Sequence, residues 1–278
     1  MRLFRNISIF LVLSSLTGVF TPVFGQGNLL VTPRRVVFDG SRRVMELNLA
    51  NTGQEAARYN ISFVQYRMTE DGAFEEITEP DPGQFFADKH LRFFPRNIFL
   101  EPSESQTVRM QVLGRERLEP GEYRSHVYFR AVPDELALGE IDPDADTTAV
   151  SIRLIPIFGI TIPVIIQVGE NTTKVSILDL GLTKDEEGQT YLGFTFNRSG
   201  NMSVYGDITV THVAPNGMET RVGIVNGIAV YTPNTIRKFQ LQLAEEGIDY
   251  QSGKLLVTYT AQSDVRPQTY ASAQLDLP

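Results

Sequence analysis

The chain has no cysteine and no tryptophan, and only three of its 278 residues are histidine. Without cysteine there is no disulfide framework, no thiol nucleophile and no thiolate metal site. His90, His126 and His212 fall in separate segments, with no metal-ligand spacing among them. A G-x-S-x-G elbow and a glycine-rich phosphate loop are both missing. The acidic clusters Glu75-Glu76, Asp142/Asp144/Asp146 and Asp185-Glu186-Glu187 sit in turn-rich sequence and read as solvated loops. Asp142 to Asp146 lacks the glycine and closing glutamate of an EF-hand loop. A net charge of -8 argues against a nucleic-acid surface, which would be basic. The chain therefore reads as a non-enzyme with no cofactor and no nucleic-acid partner.

Long helical patterns are scarce as well. At 42% hydrophobic and 21% charged residues the chain can still build cores and does not resemble a disordered one. Its first 25 residues have the layout of a secretory signal peptide: basic Met1-Arg2-Leu3-Phe4-Arg5, apolar Ile7 to Phe20, then Val23-Phe24-Gly25. The expectation is cleavage near Gly25, export, and no membrane-spanning segment afterwards.

From Asn28 onward short alternating segments are broken by turns. Val44-Met45-Glu46-Leu47-Asn48-Leu49 has period two and ends at Asn51-Thr52-Gly53. Tyr59 to Met68, Ser105 to Leu113 and Tyr123 to Pro133 follow in kind. The pattern restarts at Lys174 and runs through Thr190 to Phe196, Ser203 to Val213, Glu219 to Val230, Thr235 to Leu243 and Gly253 to Thr260. Pro215-Asn216-Gly217 reads as a hairpin turn, and Asn226-Gly227 as a second turn signal. Many short strands without helical periodicity predict an all-β protein of two antiparallel sandwiches, 26–168 and 169–278.

Val150 to Val168, V-S-I-R-L-I-P-I-F-G-I-T-I-P-V-I-I-Q-V, carries one charge, Arg153. Its length allows a membrane helix, a buried strand, or a strand whose apolar face is meant for a partner. Pro156, Gly159 and Pro163 oppose a helix, since proline costs about 3 kcal/mol in a helix interior. The Ile/Val content favours a strand. Arg34-Arg35 also has two readings: solvation at a strand start, or a bidentate grip on a carboxylate where two domains meet.

Arg34-Arg35-Val36-Val37-Phe38-Asp39-Gly40, Ile98-Phe99-Leu100-Glu101-Pro102 with Ser105 to Arg109, and Gly121 to Pro133 together resemble the periplasmic pilus-assembly chaperones (PapD-like). The resemblance covers most of Asn28 to Val168. It implies two immunoglobulin-like β-sandwich domains, the first lending its last strand, 150–168, to a pilin-like fibre subunit that lacks one. On that reading Ile152, Leu154, Phe158 and Ile160 fill the subunit's groove. Arg35 anchors the subunit's C-terminal carboxylate, with Arg153 as the one other base in the stretch. The family's donor-strand lysine falls on Pro163, so the chain looks like a divergent branch. The resemblance further implies a periplasmic location, delivery to an outer-membrane usher, and a self-capping dimer as one form of the free protein. An immunoglobulin-like structural or adhesive surface protein is the rival from another class. A glycan-acting module is a third, disfavoured by the missing tryptophan.

Overall fold

A computed structural model describes residues 28–132, 157–244, 247–262 and 268–278. The regular structure of the described chain is nearly all strand, folded as two β-sandwich domains. The first holds β1 (Leu29–Thr32), β2 (Val36–Phe38), β3 (Val44–Asn51), β4 (Ala57–Val64), β5 (Tyr66–Met68), β6 (Phe74–Glu76), β7 (Leu91–Phe94), β8 (Asn97–Leu100), β9 (Ser105–Val112), β10 (Gly121–Val132) and β11 (Gly159–Val168). The second holds β12 (Lys174–Lys184), β13 (Thr190–Ser199), β14 (Val204–Val213), β15 (Glu219–Val230), β16 (Ile236–Gln242), β17 (Lys254–Ala261) and β18 (Thr269–Asp276). No helix among the described residues is long and apolar enough to cross a membrane.

The first sandwich packs a sheet ordered β1-β3-β9-β7 against one ordered β2-β11-β10-β4-β8. Period-two patterning puts one set of side chains inside. On β3, Leu47 and Leu49 are buried while Glu46 and Asn48 are exposed; on β9, Val108, Met110 and Val112 are buried and Thr107, Arg109 and Gln111 are not. They meet Val127, Phe129, Ile162, Val164 and Ile166 of the facing sheet. Burying each such side chain is worth about 1.5–3 kcal/mol. The opening of the chain switches sheets. β1 pairs antiparallel with β3, but β2 pairs parallel with β11, Val36 opposite Val164. Pro33, in the link between them, has no N–H with which to continue the first ladder.

The second sandwich packs β12-β13-β16 against β15-β14-β17-β18 around Phe194, Phe196, Ile208, Val210, Leu255, Val257 and Tyr259. Pro215-Asn216-Gly217 does close a hairpin: the Gly217 N–H donates to the Ala214 carbonyl at 2.8 Å, with Gly217 at a φ of 84°. Asn226-Gly227 does not. β15 runs straight through it, with Asn226 and Gly227 together opposite Asp207 as a β-bulge. The Gly227 N–H donates to the Asp207 carboxylate at 2.8 Å, so the turn signal serves a bulge instead. β18 was not expected; its burial alternation is shallow because it is an edge strand.

Within 150–168 the described part is strand from Gly159 onward, which rules out the membrane helix for it.

Candidate functional site

β10 has two occupied faces. Tyr123, Val127 and Phe129 point into the first core, so alternation sends Glu122, Arg124 and His126 to the opposite face, yet all three are also buried. Their cover is the second sandwich together with the β5–β6 hairpin. Met68, Ile165, Ala229 and Tyr231 form a small apolar cluster across the junction, with Val37 and Tyr205 against it. Asn234 clasps the hairpin, its Nδ2 donating to the Met68 carbonyl at 2.6 Å. Glu70 adds a surface ion pair with Lys238 at 3.3 Å.

Arg35 opens the cleft beside this seam. It is half-buried in the link between β1 and β2. Its Nη1 donates to the Tyr231 hydroxyl at 2.7 Å. Its guanidinium carbon lies 4.5 Å from the Tyr205 ring centre and 5.3 Å from that of Tyr231. The cleft, about 770 Å³, is walled by Arg34, Arg35 and Gln167 on one side and Tyr205, Asn226 and Tyr270 on the other. A guanidinium stacked on aromatic rings keeps its fork in plane, the form that receives a carboxylate or phosphate.

The floor of the seam is ionic. Glu122, 2% exposed, accepts the Ser203 N–H at 2.8 Å, the Ser203 hydroxyl, and the Thr232 hydroxyl at 3.3 Å. Arg124 sits 4.1 Å from the Tyr231 ring centre, and among the described residues its Nε and Nη1 have no hydrogen-bond partner. Burial pushes its guanidinium below the usual arginine range, while Glu122 pulls the other way. His126 packs edge-on against Tyr66 at 5.1 Å and Phe74 at 5.6 Å. Burial first, then Arg124 and Arg35, pushes its imidazole down to about 3, so it is neutral at ordinary pH.

The second feature is an open edge. β11 pairs with β10 along its whole length, Gly159 opposite Arg130 to Val168 opposite Gly121. On its other side, among the described residues, β2 alone pairs with it and covers only Val164 to Ile166. The Ala131 N–H donates to the Phe158 carbonyl at 2.9 Å. By antiparallel alternation, Ile160 and Ile162 then bond to β10, while Gly159, Thr161 and Pro163 turn their backbone groups to the uncovered side. Pro163 thus stands where its missing N–H breaks no ladder bond.

Several solved structures of fimbrial chaperones are similar to this chain at low identity. A chain of the CsuC–CsuE chaperone–tip adhesion subunit pre-assembly complex of Acinetobacter baumannii is 12% identical, with 89% of this chain and 97% of that chain covered and a TM-score of 0.44. The Pseudomonas aeruginosa CupB2 chaperone is 12% identical, with 90% and 100% covered and a TM-score of 0.42. The E. coli chaperone DraB is 13% identical, with 91% and 98% covered and a TM-score of 0.42. No family model and no curated protein sequence matches the chain.

Of the residues singled out in the sequence, Arg35 lies in the cleft and Arg34 on its exposed rim. Phe158 is 61% exposed, just before β11. Ile160 is half-buried against the core of its own sandwich, because its parity matches Ile162 and Val164. Ile152, Arg153 and Leu154 lie outside the described residues, as do Asp142, Asp144 and Asp146. The three histidines do not converge: His90 packs on Tyr123, His126 lies in the seam, and His212 Nε2 is 3.0 Å from the Ser252 carbonyl. Glu122, Arg124, Tyr205 and Tyr231 escaped notice. The one available signal was Glu122-Tyr123-Arg124-Ser125-His126, polar at every second place on an otherwise apolar strand.

Proposed function

We propose that the protein is an exported, non-enzymatic chaperone that binds incomplete β-sandwich subunits of a surface fibre by strand addition and passes them to an outer-membrane usher. The open edge of β11 carries this reading. Backbone N–H and C=O groups left without a neighbour are a template for another strand. Here they stand beside exposed Ile157 and Phe158, apolar side chains 42% and 61% accessible. Strand addition would satisfy both the backbone and the apolar surface at once.

In this reading Ile152, Leu154 and Phe158 enter the subunit's groove, while Ile160 stays on its own core. Arg35 anchors the subunit's terminal carboxylate in the cleft, and Arg153 is the upstream cation. The first domain, 26–168, presents the strand, and the second, 169–278, forms the far wall of the cleft. The resemblance of Arg34 to Gly40 and of Gly121 to Pro133 to the pilus-assembly chaperones supports the same assignment. No cofactor is required.

The test is capture from the periplasm. Wild-type protein should co-purify with small β-rich subunits. Leu154→Asp with Phe158→Asp should abolish capture and leave thermal unfolding unchanged. Undiminished capture by that variant overturns the proposal.

A further inference from the structure

We infer that Tyr231 and Tyr205, both from the second sandwich, are positioning residues that aim Arg35. The inference rests on Arg35 being a carboxylate anchor, as proposed above. It gives the second domain a part in binding beyond walling the cleft.

Arg35 sits in a link between two strands, not in a ladder. An arginine side chain has many rotamers, and one that must be ordered when ligand arrives costs affinity. Among the described residues the hydrogen bond that fixes its guanidinium comes from across the domain junction, from Nη1 to the Tyr231 hydroxyl at 2.7 Å. The Tyr205 ring, 4.5 Å from the guanidinium carbon, limits the plane it can adopt. Among the described residues one N–H of the fork is used, which leaves the others for a ligand.

Both tyrosines are themselves held. Tyr231 is 4% exposed, wedged among Met68, Ile165 and Ala229 and stacked on Arg124 at 4.1 Å. Tyr205 packs against that same cluster. The direction of Arg35 is therefore set by residues about 170 to 196 positions away in sequence. The Tyr231 hydroxyl acts here as the acceptor, with Arg35 as the donor, so the bond fixes the guanidinium without competing for its positive charge.

The probe is a ten-residue peptide of alternating valine and threonine, made with a free C-terminal carboxylate and as the amide. The wild-type protein should prefer the acid form by about tenfold or more, the worth of a hydrogen bond between charged partners. Tyr231→Phe keeps the ring in the seam and removes the hydroxyl; it should cut that preference to under about threefold. Tyr205→Leu should lower the preference by about two- to fivefold, and Tyr205→Phe should retain it. Thr232→Val weakens the same seam without touching Arg35 and should keep the wild-type preference. If Tyr231→Phe discriminates as well as wild type, the positioning role is overturned while the anchor stands. If the wild-type protein binds acid and amide equally, or binds neither, the anchor falls and the inference with it.

Discussion

Ser203 holds Glu122 with two groups at once, across the boundary between the two sandwiches: its backbone N–H donates to Oε2 at 2.8 Å and its hydroxyl to Oε1. The same hydroxyl accepts the Thr232 N–H at 3.0 Å. A carboxylate 2% exposed, gripped by the other domain, ties the orientation of the domains to their stability.

Removing that carboxylate should be costly. Glu122→Ala leaves the Ser203 and Thr232 donors unpaired and takes away the counter-charge of Arg124 and Arg198. The expected loss is about 3–5 kcal/mol, the range for breaking one side of a buried ionic network. Urea unfolding checks it; a loss below about 1 kcal/mol would mean that water replaces the carboxylate without penalty.

Acid should weaken the fold through His126. In the folded chain its imidazole stays neutral down to about 3, whereas unfolded it takes up a proton near the ordinary value of 6.5. The unfolded state therefore binds more protons between those values. This contribution is complete above pH 6.5 and is lost as pH falls from there towards 3. At about 1.4 kcal/mol per pH unit, the full loss is on the order of 5 kcal/mol. Urea midpoints from pH 7 to pH 4 should fall more steeply for wild type than for His126→Phe. Parallel curves would assign acid sensitivity elsewhere.

Gly159 is fitted to Tyr128. A β-carbon at Gly159 would overlap the Tyr128 ring, which lies across the strand at the open edge. Gly159→Ala must turn that half-exposed ring aside and should cost about 1 kcal/mol, the low end for overpacking. Adding Tyr128→Ser should recover most of it. A double-mutant cycle by thermal unfolding measures the coupling, and simple additivity would refute the contact.

The β5–β6 hairpin should depend on Asn234. Asn234→Ala removes the donor to the Met68 and Thr69 carbonyls. Amide exchange across residues 66–76 should then speed up by about five- to thirtyfold, matching 1–2 kcal/mol of local opening. Exchange in the first core, at Phe129 and Val108, should stay as it was.

Much of the fold was legible because a sandwich strand repeats every two residues. Leu47, Leu49, Val108 and Met110 are buried where alternation puts them. Asn226-Gly227 misled because an Asn-Gly pair suits any place that needs a positive φ, a bulge as well as a hairpin. The parallel pairing of β2 with β11 joins segments about 128 residues apart, and local patterning carries no trace of it.

The amino-acid sequence by itself determined the fold class, the strand character of Gly159–Val168 and the candidacy of the Arg34-Arg35 pair. These follow from side-chain period, the refusal of proline to sit inside a helix, and local residue type. Tertiary structure alone decided what Arg35 touches, that Glu122, Arg124 and His126 are buried, and that among the described residues no strand pairs with the outer side of β11 upstream of Val164. Polar residues at every second strand position look the same whether water or another domain covers them. That difference is made when Tyr231 and Ser203, more than 75 residues further along, fold back over β10.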